Sequence, residues 1–190
     1  MTYDVPAIVA LAKACAPGIA TEAVVPLVLA ESGGDPLQIN VNKGPRVRAG
    51  SVAEGVAIVR RYMVAGYTVD VGLAQINSAN FARLGVTVEQ AFEPCMNLTL
   101  AASMLRQGYG LASRHYDGLD AISATYSLYN TGSLTRGLRN GYVARVWTAA
   151  TNLGSLAAAP PLPAAQVTPS GDRDAWVIGP VASNLVEVFK

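Results

Sequence analysis

The segment Val24-Val25-Pro26-Leu27-Val28-Leu29-Ala30-Glu31 (residues 24–31) is an apolar run that ends on a carboxylate, and Ser32-Gly33-Gly34 (32–34) follows it at once. Burial disfavours the charged form of a carboxyl group, so a carboxyl in apolar surroundings keeps its proton to higher pH. A general acid that works near neutral pH needs this property. We therefore predict that Glu31 is a catalytic acid at the lip of a cleft. The alternative is a helix-end glutamate that turns outward to water.

The composition is that of a folded protein with one domain of ordinary size. The chain has 190 residues, of which 51% are apolar and 14% are charged, and disordered chains are less apolar than this. The net charge is +1, which argues against nucleic-acid binding because such domains usually carry a basic face. No uninterrupted apolar run approaches about 18 residues, so we expect no membrane span.

Apolar spacing and capping patterns predict a mainly helical fold. The sequences Ser51-Val52-Ala53-Glu54 and Thr87-Val88-Glu89-Gln90 are capping boxes, and Pro94 suits a first helical position. Thr21 is a candidate N-cap for the helix that carries Glu31. The predicted helices are Asp4 to Cys15, one that follows Thr21 and carries Glu31, Ser51 to about Val64, a short one after Thr87, Pro94 to about Tyr109, Leu119 to Tyr129, and Asn140 to Asn152.

A small β-element is predicted between the second and third helices. Residues 37–41 and 46–48 alternate in polarity on either side of the turn Asn42-Lys43-Gly44-Pro45, which predicts a hairpin beside Glu31. Tyr67 to Val71 would add a third short strand. The expected fold class is thus mainly α, with a small β-hairpin element beside the cleft.

The chain divides into a folded domain at residues 1–155 and a tail at 156–190. The tail begins with a Pro/Ala-rich stretch, a composition that favours extended, semi-rigid conformations. Its last segment, residues 175–190, is apolar again. That segment either docks on a partner, for example by adding a strand, or packs back on the domain or remains disordered.

Two polar clusters besides Glu31 suit a carbohydrate ligand. Gln75 and Asn77 flank an apolar residue, and their amides both donate and accept hydrogen bonds, as sugar hydroxyls and N-acetyl groups require. Tyr129 and Asn130 precede Gly132 and could orient a carboxyl group or a sugar. The alternatives are that Gln75 and Asn77 cap the next helix, and that Asn130 is a helix C-cap beside a core tyrosine.

Other kinds of chemistry lack the residues that they need. His115 is the only histidine, so a histidine-rich metal site or a Ser-His-Asp triad is not expected. No phosphate-binding loop of the Gly-Lys-Ser/Thr type occurs. We expect no metal and no cofactor.

The first residues lack the basic and apolar regions of a secretory signal. The chain is then cytoplasmic, or its signal was removed, or it is exported by another route. Two cysteines, Cys15 and Cys95, are either buried thiols or a bridge that closes a long loop.

The order of these clusters resembles the lytic transglycosylase family, of the soluble type with a lysozyme-like fold. The resemblance covers about residues 4–150, and Pro26 in the Glu31 helix departs from the usual pattern. The matching residues are Glu31-Ser32, Gly72-Leu73-Ala74-Gln75-Ile76-Asn77, Ala101-Ala102 with Leu105, Tyr129-Asn130 with Gly132, and Tyr142-Val143.

A closer resemblance is to the branch of that family that accompanies type IV secretion and conjugation systems. It implies a Cys15–Cys95 disulfide and a periplasmic location. The residues that carry it are Cys15-Ala16-Pro17, Tyr67 to Asn77, Phe92-Glu93-Pro94-Cys95-Met96-Asn97-Leu98, and the Pro-rich tail with its Val188-Phe189 ending.

The resemblance implies an enzyme that cleaves the β-1,4 bond between N-acetylmuramic acid and N-acetylglucosamine in peptidoglycan and forms a 1,6-anhydro sugar. Glu31 would serve as acid and then as base. The implied partners are peptidoglycan glycan strands and, through the tail, a type IV secretion or conjugation machinery. The residues expected to contact the substrate are Ser32, Gln75, Asn77, Tyr129 and Asn130.

Three alternatives stay open. Ser32 could be a local cap of the Gly33-Gly34 turn instead of a contact in the cleft. The enzyme could be a true lysozyme in which Asp35 or Asp70 positions a water, although a solvated strand-end carboxylate is the simpler expectation for Asp70. The chain could also be a catalytically idle peptidoglycan-binding adaptor of a secretion complex.

Overall fold

A computed structural model describes residues 2–155 and 160–163. These residues divide into two compact units, with the boundary between Ala102 and Ser103. The expectation of a mainly helical protein with a small antiparallel sheet is confirmed. The helices are α1 (Val5–Cys15), α2 (Thr21–Glu31), α3 (Val52–Val64), α4 (Phe81–Leu84), α5 (Val88–Phe92), α6 (Pro94–Ala112), α7 (Gly118–Thr131), α8 (Arg136–Arg139) and α9 (Tyr142–Asn152).

Within the first unit, a disulfide joins the end of α1 to the start of α6. Cys15 is the last residue of α1, Cys95 is the second residue of α6, and the two are bonded across a sequence separation of 80. The Thr99 hydroxyl lies within hydrogen-bonding distance of both backbone carbonyls, 2.8 Å from the Cys15 oxygen and 2.9 Å from the Cys95 oxygen. The disulfide implied by the family resemblance is therefore present in the structure.

Helix α2 runs through Pro26 without ending there. Proline cannot donate a backbone hydrogen bond to the preceding turn, but α2 buries its apolar residues, and Val24, Leu27 and Val28 are each 0% exposed. Burial of that kind outweighs the loss of one hydrogen bond. The prediction that Thr21 is the N-cap is wrong, because the helix already includes Thr21 and its hydroxyl donates to the Glu22 carboxylate at 3.1 Å.

The sheet has three antiparallel strands in the order β1 (Ile39–Val41), β2 (Val69–Val71) and β3 (Ile76–Asn77). Ile39 pairs with Val71, which in turn pairs with Ile76, and all three side chains are buried. The alternation of side chains along each strand puts the polar residues on the opposite face. One face of the sheet therefore belongs to the core of the first unit.

The predicted partner of the first strand is wrong. Residues 46–48 form no strand, and β1 pairs instead with β2 inside the predicted third strand. Arg46 and Arg48 are exposed, so this segment has little apolar surface to bury. Val69 and Val71 are both 0% exposed, and this burial decides which segment pairs with β1.

The two predicted capping boxes differ in detail. Thr87 and Gln90 form the reciprocal pair at the start of α5, with distances of 2.9 and 3.2 Å. At the start of α3 the Ser51 hydroxyl accepts from the Glu54 N–H at 3.2 Å. The Glu54 carboxylate, however, accepts from the Gly50 N–H at 2.8 Å and not from Ser51. At α3 the glutamate side chain therefore bonds to the residue before the N-cap, one position earlier than a capping box predicts.

In the second unit, buried hydroxyls connect α7 with α8 and α9. Trp147 donates through Nε1 to the Ser123 hydroxyl at 2.9 Å, and its ring meets Tyr126 edge-on with the centroids 5.6 Å apart. The Ser127 hydroxyl accepts from the Gly137 N–H at 2.8 Å. These contacts fix both shorter helices against α7.

Replacing Gly137 with alanine should destabilise the protein. A Cβ at Gly137 would lie 2.6 Å from the Ser127 Cα, a backbone atom that cannot move aside cheaply. We expect Gly137→Ala to lower the free energy of unfolding by about 1–3 kcal/mol, as overpacking usually does. Gly110→Ala in α6 is the matched control, because it meets no atom within 4 Å and should raise stability by about 0.5–1 kcal/mol. Denaturant unfolding measures both, and equal effects would contradict the packing argument.

Within the described residues, no helix combines the length and the apolar character that crossing a membrane requires. The tail predicted at 156–190 lies outside the described residues except for 160–163. The division at residue 155 and the docking of residues 175–190 stay predictions.

Candidate active site

Glu31 is the last residue of α2, and its side chain is half-buried. The chain then turns at Gly33 and Gly34, whose φ angles are 63° and 88°. The Gly34 carbonyl accepts from the Tyr3 N–H at 2.9 Å, which holds this turn against the chain just before α1. The predicted helix end at the carboxylate is thus confirmed, while the role of Glu31 as an acid stays a prediction.

Ser32 connects the end of α2 to the loop Gly72–Asn77. Its hydroxyl lies 2.7 Å from the Leu73 carbonyl oxygen and 3.3 Å from that of Val28. The same oxygen accepts from the Gly34 N–H at 3.1 Å, so Ser32 also caps the turn. The residue next to Glu31 is therefore held to the loop that carries Gln75 and Asn77. A contact between Ser32 and the substrate stays a prediction.

Gln75 adopts a left-handed backbone conformation with a φ of 52°, which is unusual for a residue other than glycine. Its Nε2 donates to the Gly72 carbonyl at 2.9 Å and to the Gln38 carbonyl at 3.1 Å. Both amide hydrogens are then used inside the protein. The carbonyl oxygen of this half-buried side chain has no hydrogen-bond partner among the described residues. Gln75 is thus suited to accept a hydrogen bond from a ligand.

Asn77 is the N-cap of the short 3-10 helix Ser78–Asn80. This agrees with the alternative prediction that Asn77 caps the next helix. Its Oδ1 accepts from the Ala79 N–H at 2.9 Å, and its Nδ2 donates to the Asp70 carboxylate at 2.6 Å. One amide hydrogen remains for another acceptor. Its contact with a sugar chain stays a prediction.

Asp70 lies in the middle of a polar row that crosses the sheet. Asn40, Asp70 and Asn77 are direct cross-strand partners, and Asn40 donates to the second carboxylate oxygen at 2.8 Å. Burial raises the pKa of the Asp70 carboxyl above its usual range, while hydrogen bonds from Asn40, Asn77 and Asn42 oppose that shift. The expectation of a solvated strand-end carboxylate is wrong, because the side chain is half-buried at mid-strand with both oxygens bonded.

The raised pKa of Asp70 predicts a pH-dependent contribution to stability. The folded-state pKa lies above the unfolded value of about 3.9. The stability gained from protonation is then fully present below about pH 3.9 and is lost as the pH rises through the folded-state pKa. We therefore compare the melting temperatures of the wild type and of Asp70→Asn. The difference, wild type minus variant, should increase as the pH falls from 7 to 4. A difference that shrinks over this range would show that the fold favours the charged form.

Two residues that the sequence reasoning missed support this site. Asn40 belongs to the polar row, and its place opposite Asp70 depends on the strand pairing. Asn97 on α6 is 1% exposed, and its Oδ1 accepts a hydrogen bond from the Ala74 N–H of the loop at 2.8 Å. A signal for Asn97 existed, because it lies four residues before the buried Ala101 and so shares the apolar face of its helix.

Tyr129 and Asn130 belong to the second unit and lie near the end of α7. Tyr129 is half-buried and Asn130 is exposed. Asn130 accepts through Oδ1 from Asn140 Nδ2 at 3.1 Å. The proposed C-cap role of Asn130 is wrong, because α7 continues to Thr131 and Gly132 caps it with a φ of 67°. The substrate contacts of Tyr129 and Asn130 stay predictions.

Comparison with known proteins identifies the class of enzyme. Residues 9–144 match the family described as Transglycosylase SLT domain. This match covers more than half of the chain and includes Glu31, the loop Gly72–Asn77 and the pair Tyr129-Asn130. The chain therefore belongs to the SLT transglycosylase family of peptidoglycan lytic transglycosylases. No solved structure matches it.

Relatives of similar sequence carry the name virB1. The chain is 36% identical over 168 residues to Protein virB1 of Rhizobium radiobacter, an alignment that covers 87% of this chain and 70% of the relative. It is 37% identical over 164 residues to Protein virB1 of Agrobacterium fabrum, with 86% and 64% covered. It is also 33% identical over 132 residues to the Type IV secretion system protein virB1 of Brucella abortus, with 68% and 56% covered.

Proposed function

We propose that this enzyme cleaves the β-1,4 bond between N-acetylmuramic acid and N-acetylglucosamine and leaves a 1,6-anhydro-N-acetylmuramic end, with Glu31 as its acid and base. The observation that carries the proposal is the position of Glu31 in the matched region. It is a half-buried carboxyl at a helix end, held through Ser32 to a loop whose amides suit sugars. Gln75 on that loop supplies an acceptor for a sugar O–H or N–H.

The reaction needs only one carboxyl group from the protein. Glu31 donates its proton to the glycosidic oxygen, and the bond from that oxygen to C1 of the muramic sugar breaks. The carbonyl oxygen of the 2-acetamido group bonds to C1 and takes up the positive charge. Glu31, now a carboxylate, removes the proton of the 6-hydroxyl. The 6-oxygen then displaces the acetamido oxygen from C1 and closes the 1,6-anhydro ring. The proton taken from the 6-hydroxyl restores the acid form of Glu31, and no water is consumed.

Hydrolysis would require a second group that positions water, and both carboxyl candidates already accept hydrogen bonds within the protein, Asp35 through one oxygen and Asp70 through two. In Asp35, Oδ1 accepts from the Leu37 N–H at 2.9 Å. In Asp70, both oxygens accept from asparagine amides. Inverting and retaining glycosidases use their second carboxylate on water or on the sugar itself. These internal hydrogen bonds favour ring closure over a lysozyme reaction.

Product analysis on purified sacculi tests the proposal. We expect mass spectrometry to find muropeptides with 1,6-anhydro ends, each lighter by one water than the corresponding reducing product. Sacculi treated with a muramidase serve as the reference for reducing ends. Reducing ends from this enzyme would indicate a lysozyme, and the absence of any product would indicate a binding adaptor.

The relatives supply the biological setting of the proposal. The name of the Brucella relative places that protein in a type IV secretion system. We infer that the present enzyme opens peptidoglycan locally, in the periplasm, for the assembly of such an apparatus or of a conjugation apparatus. The disulfide Cys15–Cys95 supports an oxidising compartment. Residues 175–190 remain the segment that we expect to contact the machinery.

A further inference from the structure

We propose that Asn97 is a positioning residue, which holds the loop Gly72–Asn77 so that Gln75 presents a hydrogen-bond acceptor to the glycan. This inference rests on the proposed function, because the glycan is the ligand that it invokes. Asn97 lies on α6 and is not itself expected to touch substrate, since its side chain is 1% exposed.

The carboxamide of Asn97 is fully used by the protein. Nδ2 donates to the Ala91 carbonyl at 2.7 Å and to the Val71 carbonyl at 2.9 Å. Oδ1 accepts from the Ala74 N–H at 2.8 Å. One amide therefore bonds the residue before Gly72, the residue before Gln75, and the end of α5. An asparagine is suited to this place because it combines two donors with an acceptor.

Close packing at Gly72 supports the same role. A Cβ at Gly72 would lie 2.5 Å from Asn97 Nδ2 and 3.0 Å from the Ala91 carbonyl oxygen. The φ angle of Gly72 is 79°, a conformation that other residues adopt rarely. The loop can approach the Asn97 amide this closely because residue 72 has no side chain.

The backbone conformation of Gln75 requires support from the residues around it. A left-handed φ of 52° is strained for a residue with a side chain. Such a conformation persists only where surrounding contacts determine it. Asn97 holds Val71, just before the turn, and Ala74, the residue before Gln75. The amide hydrogens of Gln75 itself are donated to the carbonyls of Gly72 and Gln38. Only the carbonyl oxygen of Gln75 is left for a ligand.

The test compares Asn97→Asp, Gln75→Ala and the double variant. Aspartate keeps the acceptor for Ala74 and loses both donors. We expect each single variant to raise the apparent KM for sacculi by about three- to tenfold with little change in kcat, as for the loss of one hydrogen bond that binds ground state and transition state equally. In the double variant the effect of Asn97→Asp should disappear, since Gln75 no longer has an acceptor to position. Additive effects on KM would overturn the proposal.

Two further variants separate positioning from plain destabilisation. In Gly72→Ala the added Cβ would clash with Asn97 Nδ2, so this variant should raise KM in the same way. It replaces Asn97→Asp in the test if that variant does not fold. Ser123→Ala removes the buried hydrogen bond to Trp147 in the other unit and should lower the melting temperature with KM unchanged. If Gly72→Ala lowers the melting temperature but leaves KM at the wild-type value, the role of Asn97 is only structural.

Binding measured in a Glu31→Gln background separates this inference from the proposed function. Sedimentation with purified sacculi gives a Kd for the same set of variants without any turnover. If the wild type forms no product but these Kd values rise in the predicted pattern, the reaction is wrongly assigned and the role of Asn97 stands. If sacculi are not bound at all, both proposals fall.

Discussion

We expect Glu31→Gln to release no anhydromuropeptides from sacculi while its melting temperature stays close to that of the wild type. This is the largest effect that we expect on activity. A glutamine amide has the shape of the carboxyl group, but it can neither protonate the glycosidic oxygen nor accept the proton of the 6-hydroxyl. General acid–base catalysis alone contributes about 10²- to 10⁴-fold to a rate, so residual activity should be near the detection limit. Mass spectrometry of the released products measures it.

The matched control is Glu22→Gln in the same helix. Glu22 lies in the first turn of α2 and is exposed. Glu22→Gln makes the same chemical change at the opposite end of α2 from Glu31, so we expect wild-type activity. Full activity in Glu31→Gln would show that Glu31 is not the acid and base, and it would contradict the proposed mechanism.

Removal of the disulfide is the change that we expect to cost the most stability. Its reduction frees a loop with a sequence separation of 80 residues. The chain-entropy model gives an upper estimate of about 4–5 kcal/mol for a loop of that length. Most small domains unfold with a free energy of about 5–15 kcal/mol, so this is a large share of the total. Guanidinium unfolding of a Cys15→Ala, Cys95→Ala double variant measures the loss.

The reduced wild type provides the comparison for this variant. Its unfolding midpoint should fall close to that of the double variant, and reductant should have no effect on the double variant itself. The hydrogen bonds of Thr99 to both cysteine carbonyls do not depend on the sulfur atoms and should hold α1 near α6 in either form. An unchanged midpoint after verified reduction would contradict the entropic argument.

Local patterns predicted the helices well because they depend on residues close together in the chain. The reciprocal cap of Thr87 and Gln90 and the first position of Pro94 in α6 are as expected. Helices α4 and α8 were not predicted, because each has only four residues and too short a pattern to detect. Helix α6 runs three residues beyond the predicted end at Tyr109.

Strand pairing could not be predicted in the same way. Residues 46–48 alternate in polarity as a strand would, yet β1 pairs with Val69–Val71 from beyond α3. The choice depends on which segment can bury two valines against the core, which is a property of the folded unit. The position of Asp70 between Asn40 and Asn77 follows from that pairing, and so the sequence-based expectation for Asp70 was wrong.

The sequence by itself determined where α2 ends on Glu31 and where the other main helices lie, and it predicted most of the polar residues of the candidate site. Periodicity, caps and glycines are local features, so they can be recognised in the chain. Only the tertiary structure decided how these residues are held. Ser32 bonds to Leu73 across 41 residues, and Asn97 bonds to Val71 across 26. Such contacts depend on the packing of distant segments, and no local pattern specifies them.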